Sequence, residues 1–245
     1  MSLARGGKPR RRKRGGARRY YLVAGLLAII IVCAIAWYAY FRPHQAGGAT
    51  TGTKPIILYV NQGNGVVNVT NFDVMAHFAA AHGFNTVFFQ IYRQGVLLFN
   101  QQDLQTFVSQ AHLLDLSIYF SLYITNSSQQ IPPSIYESGE NGVSLDMSAL
   151  ILSSQQSLLT SLKTNYGGMT AVTTTDMSSP LKPNLLVLET YNIGQQSFIR
   201  PSVIGSVGVF ATSSETEYQS QFQYALQNSD GVMVFDYAGL VKSGY

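Results

Sequence analysis

The sequence predicts an α/β protein, a short or irregular (β/α)8-type barrel behind one N-terminal transmembrane helix. Strand-like apolar runs alternate with amphipathic helical patterns, and these strands are too apolar to have one face in water. Several strands end in polar or acidic residues, as barrel strands do at a functional site. A long uncharged segment precedes all of them. A doubly wound open sheet is the alternative arrangement of the same units.

The first 41 residues predict a membrane anchor. Nine of the sixteen basic residues precede residue 20, which predicts a basic cytoplasmic tail over residues 1–19. Residues 20–41 are uncharged and would span roughly 33 Å as a helix, about the thickness of a bilayer core. The prediction is a single-pass cell-membrane protein with its N-terminus cytoplasmic and its C-terminal domain extracytoplasmic. Cleavage after Ala34-Ile35-Ala36 is the alternative, although a signal has only about 7 to 15 apolar residues.

Charge is scarce beyond the tail. Residues 20–245 carry seven basic and twelve acidic residues, a net charge of −5, so the basic charge does not belong to a folded surface. This distribution predicts no nucleic-acid partner. The single cysteine, Cys33, lies in the anchor, so the outer domain has no disulfide bond. His77 and His82 match no metal-ligand spacing, and no motif implies a cofactor or specifies an oligomeric state.

A flexible stalk is predicted over residues 42–54 because this segment is rich in glycine and threonine, and the barrel domain is predicted over residues 55–245. The first strand is Ile56 to Val60, and a polar, glycine-rich loop follows it. A capping-box pattern that begins at Thr70 then opens a helix that ends near Gly83.

The second strand runs from the helix-stopping Gly83 to Arg93, so an apolar body finishes in a polar tip. A helix begins near Asn100, with its apolar residues on one face. The third strand is predicted over residues 117–124, and a long loop over residues 125–143. Such loops often cover a binding cleft.

The second half of the domain is predicted to contain a helix over residues 144–165 and β segments at 169–175, 185–188 and 207–211. A capping box at Ser214 opens another helix. The last strand is predicted over residues 231–235, with no helix after it. These patterns give six clear strands and one weaker one.

Two stretches resemble a known family. Gly83-Phe84-Asn85-Thr86-Val87-Phe88-Phe89-Gln90, with Arg93 and Gly95, looks like the second βα unit of glycoside-hydrolase-like TIM barrels. Gly231-Val232-Met233-Val234-Phe235-Asp236-Tyr237 looks like their final strand. The resemblance extends over residues 55–240. It implies a barrel with a sugar-binding cleft, in a membrane-anchored protein that acts on or binds polysaccharide.

Glycoside hydrolysis requires two carboxyl groups about 5 to 10 Å apart. Among the twelve acidic residues, Glu189 and Asp236 stand directly at strand ends. We predict Glu189 as the acid/base and Asp236 as the nucleophile or base. Tyr59 and seven further residues supply the aromatic faces and polar groups that bind sugar rings. The predicted substrate-binding residues are Asn61, Gln90, Tyr92, Arg93, Tyr123, Tyr191 and Tyr237.

A structural interpretation of the two acids is the alternative. Glu189 would then pair with Arg93 or Arg200, and Asp236 would cap a loop. The protein would be a non-catalytic cell-envelope or glycan-binding surface protein with a degenerate barrel. The separation of the two carboxyl groups and their position relative to a cleft distinguish these interpretations.

Overall fold

A computed structural model describes residues 53–62, 67–191, 193–211 and 214–244. Eight parallel strands in it form a closed barrel, because the first strand pairs with both the second and the last. A two-residue strand, β3, adds to the end of β2 in antiparallel orientation. The strands are β1 (Ile56–Val60), β2 (Thr86–Arg93), β3 (Val96–Leu97), β4 (Ser117–Tyr123), β5 (Gly142–Asp146), β6 (Met169–Thr174), β7 (Leu185–Leu188), β8 (Ile204–Gly208) and β9 (Val232–Phe235).

Helices cover the barrel unevenly. Full helices follow β1, β2, β5 and β8, whereas only short 3-10 helices follow β4 and β7 in the described chain. The barrel is therefore of the (β/α)8 type and irregular, as the sequence predicts. The helices are α1 (Phe72–Ala81), α2 (Gln101–His112), α3 (Leu152–Asn165), α4 (Glu215–Asn228) and α5 (Tyr237–Ser243).

Two apolar layers result from the alternation of side chains along the strands. Leu58 and Val60 of β1 face outward and pack in the larger layer, between strands and helices. Ile57 and Tyr59 of the same strand face inward and fill the barrel with residues such as Met233. The inward positions nearest the carboxyl ends of the strands become polar, so the interior opens there into a polar cavity.

A β-bulge interrupts this alternation near the end of β2. The register with β4 shifts between Gln90 and Tyr92, so Ile91 and Tyr92 both belong to the outer layer. The Tyr92 hydroxyl donates a hydrogen bond to the Gln130 carbonyl at 3.0 Å. Because bulges redirect the residues that follow them, Arg93 turns inward to the cavity.

The structure differs from the predicted elements at several places. The strand predicted over residues 207–211 is β8, which begins at Ile204, and residues 209–211 form a 3-10 helix. The capping box is formed by Asn68 and Asn71 and does not begin at Thr70. Residues 142–146 form strand β5, where the sequence pattern predicts the end of a long loop and, from residue 144, the start of a helix; that helix begins only at Leu152. Helix α5 follows β9, where no helix is predicted. Pairing with β4 and β6 on both sides fixes β5 as a strand, and this tertiary pairing overrides the helical pattern.

The predicted tail, transmembrane helix and most of the stalk, residues 1–52, lie outside the described residues. Within the described part of the chain, no helix is long and apolar enough to cross a membrane.

Gly142 at the start of β5 has no room for a side chain. A Cβ atom there would lie 2.3 Å from the Tyr119 ring and 2.7 Å from the Met169 carbonyl oxygen. We expect Gly142→Ala to destabilise the barrel by about 2 kcal/mol or more, since backbone and a buried ring must both move. Thermal unfolding measures the effect. Gly167→Ala is the control, because no atom lies within 4 Å of that Cβ position, and equal losses in the two variants would contradict the steric explanation.

Candidate functional site

A cavity of about 270 Å³ lies at the carboxyl ends of the barrel strands. Six parallel strands that are spread around the barrel, β1, β2, β4, β5, β7 and β9, contribute its walls through their last residues or the segments that follow them. The lining residues are Tyr59, Asn61, Gln90, Arg93, Tyr123, Asp146, Ser148, Glu189, Tyr191 and Phe235. This is the end at which barrel enzymes place their active sites.

Two carboxyl groups meet in this cavity through one hydroxyl. The Ser148 hydroxyl is hydrogen-bonded to Asp146 Oδ1 at 3.1 Å and also to Glu189 Oε1. Two oxygens bonded to the same atom lie within about 6 Å of each other. Asp146 ends β5 and Glu189 follows β7. These strands are separated in the barrel only by β6, so the fold itself brings the two acids together.

Burial raises the pKa of both acids. The pKa of Glu189 rises to about 7, first because of desolvation and also because the Asp146 carboxylate repels a second negative charge, while the Ser148 hydrogen bond lowers it. The pKa of Asp146, which is 7 % exposed, also rises through desolvation. Hydrogen bonds from Ser148 and Tyr59 oppose that rise.

The Ser148 hydroxyl serves both acids with one hydrogen. One hydroxyl cannot donate to two carboxylates at once. Ser148 therefore donates to one of the two acids at a time, and its hydrogen bond lowers the pKa of each, against the rise that burial causes.

A second chain of hydrogen bonds fixes Asp146 from the opposite side. The Tyr59 hydroxyl donates to Asp146 Oδ2 at 3.2 Å, and the Gln90 amide donates to the Tyr59 oxygen at 3.5 Å. The Gln62 backbone N–H donates to Gln90 Oε1 at 3.0 Å, which orients that amide. Burial and the Asp146 charge raise the pKa of Tyr59 well above its usual range, so its hydroxyl remains a donor.

Aromatic rings form one wall of the cavity and extend past it. Phe235, whose peptide bond to Asp236 is cis, stacks on Tyr59 with ring centroids 4.8 Å apart, and Tyr191 lies 5.5 Å from Phe235. Phe210 contacts both Tyr191 and Phe235 at 5.3 and 5.9 Å, and it is 66 % exposed. A cluster of aromatic rings therefore continues from the cavity to the solvent, with Phe210 packed edge-to-face against Tyr191 and Phe235.

The overall structure is similar to those of glycoside hydrolases. A GH18 chitinase, ChiB, from Flavobacterium johnsoniae matches with a TM-score of 0.54 and 11 % identity, over 76 % of this chain and 89 % of that one. The GH113 β-mannanase AaManA from Alicyclobacillus acidocaldarius matches with a TM-score of 0.50 and 9 % identity, over 74 % and 86 %. The fold is a TIM barrel, which this chain shares with these enzymes.

A third barrel of this kind is the Bacillus cereus spore cortex-lytic enzyme SleL, with a TM-score of 0.51 and 10 % identity, over 76 % of this chain and 72 % of that one. No protein-family model matches the sequence, and no curated protein matches it either. At these identities the likeness establishes the fold alone.

Most of the predicted site residues meet in the cavity. Six of the nine residues predicted for catalysis or substrate binding line it, and Tyr59 lines it with them. The six residues are Asn61, Gln90, Arg93, Tyr123, Glu189 and Tyr191. Glu189 forms no ion pair with Arg93 or Arg200 in the described structure, and its hydrogen-bond partner is Ser148.

The other three predicted residues lie elsewhere. Tyr92 is directed outward by the bulge in β2. Asp236 caps helix α5, because its Oδ1 accepts a hydrogen bond from the Gly239 N–H at 3.0 Å, and it does not line the cavity. Tyr237 belongs to α5 and packs against Phe78 with ring centroids 5.2 Å apart. The N–H groups in the first turn of α5 have no partner within the helix, and this explains why the Asp236 side chain is held there.

Asp146, Ser148 and Phe235 are the cavity residues that the site prediction omits. The signal for Asp146 is the alternation of Val143-Ser144-Leu145-Asp146 after a glycine, which is typical of a strand that ends in an acid. The predicted helix over residues 144–165 conceals this pattern. Among the described residues, no cluster of three His, Cys, Asp or Glu side chains could hold a metal ion.

Ser148→Ala should raise the pKa of Glu189 further, because the hydroxyl lowers the pKa of Glu189 and of Asp146. A ¹³C NMR titration of the Glu189 carboxyl group, assigned with Glu189→Gln, measures the shift. Ser153→Ala on the exposed part of α3 is the matched control and should leave the titration unchanged. A Glu189 pKa that falls in Ser148→Ala would contradict the hydrogen-bonding scheme.

Proposed function

We propose that this protein is a glycoside-hydrolase-like enzyme that cleaves polysaccharide at the carboxyl end of its barrel. The observation that carries the proposal is the pair Glu189 and Asp146, joined by Ser148 in a polar cavity. Glu189 is assigned as the general acid and Asp146 as the ionised partner. Asp236, which caps α5, takes no part in this scheme.

The electrostatics of the pair support this division of roles. A general acid works best when its pKa lies near the working pH, and the pKa of Glu189 is about 7. A carboxyl group with that pKa can protonate the leaving oxygen of a glycosidic bond. Asp146 accepts hydrogen bonds at both oxygens, which favour its ionised form. An ionised partner stabilises the positive charge that develops on the sugar.

The spacing of the two groups indicates the stereochemical course. Retaining glycosidases hold their carboxyl groups about 5 to 5.5 Å apart, whereas inverting enzymes separate them by roughly 6.5 to 9.5 Å to admit a water molecule. Because Ser148 bridges Asp146 Oδ1 and Glu189 Oε1, these two oxygens lie within about 6 Å of each other, which favours the closer spacing. We expect the product to keep the anomeric configuration of the substrate.

The cavity has the surface chemistry that a sugar requires. The aromatic wall of Tyr59, Tyr191 and Phe235 presents ring faces, and Asn61 and Gln90 present amide groups beside it. Sugar rings are apolar on their faces and polar at their edges, so such a mixture suits them. A volume of about 270 Å³ admits a small part of a glycan, and the exposed Phe210 extends the contact surface.

The direct test is a hydrolysis screen of the full-length protein against a panel of polysaccharides, together with a glycan array. ¹H NMR of the first product identifies its anomeric configuration. Turnover with retention at the anomeric carbon supports the proposal. Turnover with inversion contradicts the assigned spacing, and no turnover on any glycan that the protein binds contradicts catalysis.

A glycan-binding protein without catalysis is the second candidate. The observation that favours it is that Asp146 is hardly accessible to a substrate. Its side chain is only 7 % exposed, and both of its oxygens already accept hydrogen bonds. Binding on the array without turnover, at any pH between 4 and 9, would favour this candidate.

We also propose that the barrel is displayed outside the cell on a single membrane anchor. The support is the uncharged segment 20–41, the nine basic residues before it and the stalk over residues 42–54. Alkaline carbonate extraction of membranes followed by protease treatment of intact cells tests this arrangement. A protein released by carbonate, or one whose barrel resists external protease and yields to it only after lysis, would contradict it.

A further inference from the structure

Arg93 is the basic residue of the candidate site. It ends β2, and among the described cavity-lining residues no other carries a positive charge. Its guanidinium carbon lies 5.8 Å from the centre of the Tyr123 ring, a cation–π contact between neighbouring residues of β2 and β4.

The backbone around Arg93 is built to hold this position. The bulge at Ile91 directs the arginine inward, and the Leu98 N–H donates to the Ile91 carbonyl oxygen at 2.8 Å. Antiparallel pairing of Arg93 with Val96 closes a tight hairpin, whose turn has positive φ angles of 51° at Gln94 and 90° at Gly95. The side chain therefore begins from a fixed platform at the cavity.

No acid neutralises this guanidinium within the described part of the chain. Neither Glu189 nor Asp146 forms an ion pair with Arg93, and the pKa of each acid is raised. A guanidinium in contact with them would lower both pKa values. Arg93 ends β2, Asp146 ends β5 and Glu189 follows β7, so the guanidinium and the two acids come from different strands around the barrel mouth.

We propose that the cavity is selective for glycans whose sugars carry a carboxylate, that is uronic acids, with the sugar carboxylate bound to Arg93. This inference rests on the proposed carbohydrate function and specifies its substrate class. The planar guanidinium can donate two parallel hydrogen bonds to the two oxygens of a carboxylate. A neutral sugar has no such pair of charged acceptor oxygens. The contact with the Tyr123 ring does not neutralise the charge of the guanidinium, which stays available for such a pair.

The charge distribution agrees with an acidic ligand. A protonated Glu189 carries no charge below a pH of about 7, so only Asp146 repels an anionic sugar there. Asp146 is nearly fully buried, and its oxygens are occupied by Ser148 and Tyr59. The Tyr59 hydroxyl also stays neutral, since its pKa lies well above the usual range.

Equilibrium binding tests the inference without interference from turnover. We would use full-length Glu189→Gln protein and isothermal titration calorimetry at pH 6. The probes are uronic-acid oligosaccharides, their carboxyl-reduced neutral counterparts and sulfated neutral oligosaccharides. We expect a uronate probe to bind at least about tenfold more tightly than its reduced counterpart. Equal affinities, or a preference for the sulfated probes, would overturn the inference.

Variants then assign the selectivity to Arg93. Adding Arg93→Gln should weaken uronate binding by about tenfold to a hundredfold and leave binding of the reduced probe nearly unchanged. Arg93→Lys keeps the charge but loses the paired geometry, so an intermediate loss is expected. Lys242→Gln, an exposed residue of α5 outside the cavity, is the charge-matched control. Equal losses in Arg93→Gln and Lys242→Gln would overturn the assignment.

The two proposals fail in different ways. Hydrolysis of neutral glycans by the wild-type protein with no preference for uronates overturns the acidic-sugar inference and leaves the glycosidase proposal standing. Arg93-dependent uronate binding with no hydrolysis of any glycan overturns the glycosidase proposal and supports the acidic-sugar inference. Because binding is measured in Glu189→Gln, the loss of the general acid does not affect the comparison.

Discussion

Glu189→Gln should lower kcat/KM for glycoside hydrolysis by about 10²- to 10⁴-fold, the usual contribution of a general acid. The physical reason is that Gln has the shape of Glu189 and cannot donate a carboxylic proton. Because the pKa of Glu189 is about 7, the acidic form of the wild-type group is lost as the pH rises through that value. We therefore expect wild-type kcat/KM to fall above a pH of about 7, and initial rates between pH 4 and 9 measure it.

Asp236→Asn is the matched control for Glu189→Gln. Asn caps helices as well as Asp does, so α5 should keep its cap and the protein its stability. Asp236 does not line the cavity, and kcat/KM should stay within about a factor of three of the wild-type value. A large loss in Asp236→Asn with little change in Glu189→Gln would reverse the assignment and restore Asp236 as the catalytic carboxylate.

Glu140→Gln should stabilise the protein at pH 8 and change its stability little at pH 5. Glu140 is 8 % exposed, and neither of its carboxylate oxygens has a hydrogen-bond partner of normal geometry in the described structure. Burial is the main cause that raises its pKa to about 7, and the backbone near Ser138 and the Tyr166 hydroxyl oppose that rise by smaller amounts. The folded state therefore favours the protonated carboxyl group.

The sign of the effect follows from this raised pKa. The unfolded chain loses the Glu140 proton near its ordinary value of 4.5, whereas the folded chain keeps it to about 7. The free energy of unfolding thus falls between those pH values, by about 3 kcal/mol at most from this group. In the Glu140→Gln variant, the buried amide without hydrogen-bond partners offsets part of this gain. We therefore expect the free energy of unfolding at pH 8 to rise by about 1 to 3 kcal/mol.

Urea unfolding at pH 5 and pH 8 measures this prediction. Glu137→Gln is the matched control, because Glu137 is exposed and lies in the same segment before β5. In Glu137→Gln, the free energy of unfolding should depend on pH as it does in the wild type. If Glu140→Gln loses stability at pH 8, or keeps the full wild-type difference between the two pH values, burial of Glu140 is not the cause.

Local pattern was sufficient to predict much of the barrel. The apolar strand with a polar end at Gly83 to Arg93 predicted a βα unit, and the same reasoning placed Gln90, Arg93, Glu189 and Tyr191 where the cavity lies. These predictions succeed because parallel strands direct their carboxyl ends to one end of the barrel. A residue's position at the end of a strand is visible in sequence.

Three outcomes depended on non-local contacts. Strand β5 exists because β4 and β6 pair with it, although its sequence continues into a helical pattern. Tyr92 and Arg93 exchange the faces that strict alternation would give them, because a bulge shifts the register with β4. Asp236 is engaged by a helix whose presence the preceding strand does not signal.

The sequence alone determined the alternation of strands and helices, the sparse charge of the barrel domain and the candidate acid Glu189, since each depends on neighbours along the chain. Only the tertiary structure decided which carboxyl group accompanies Glu189. Asp146 lies 43 positions earlier in the chain, and closure of the barrel brings both acids to Ser148. Their raised pKa values arise from burial, which no local pattern specifies.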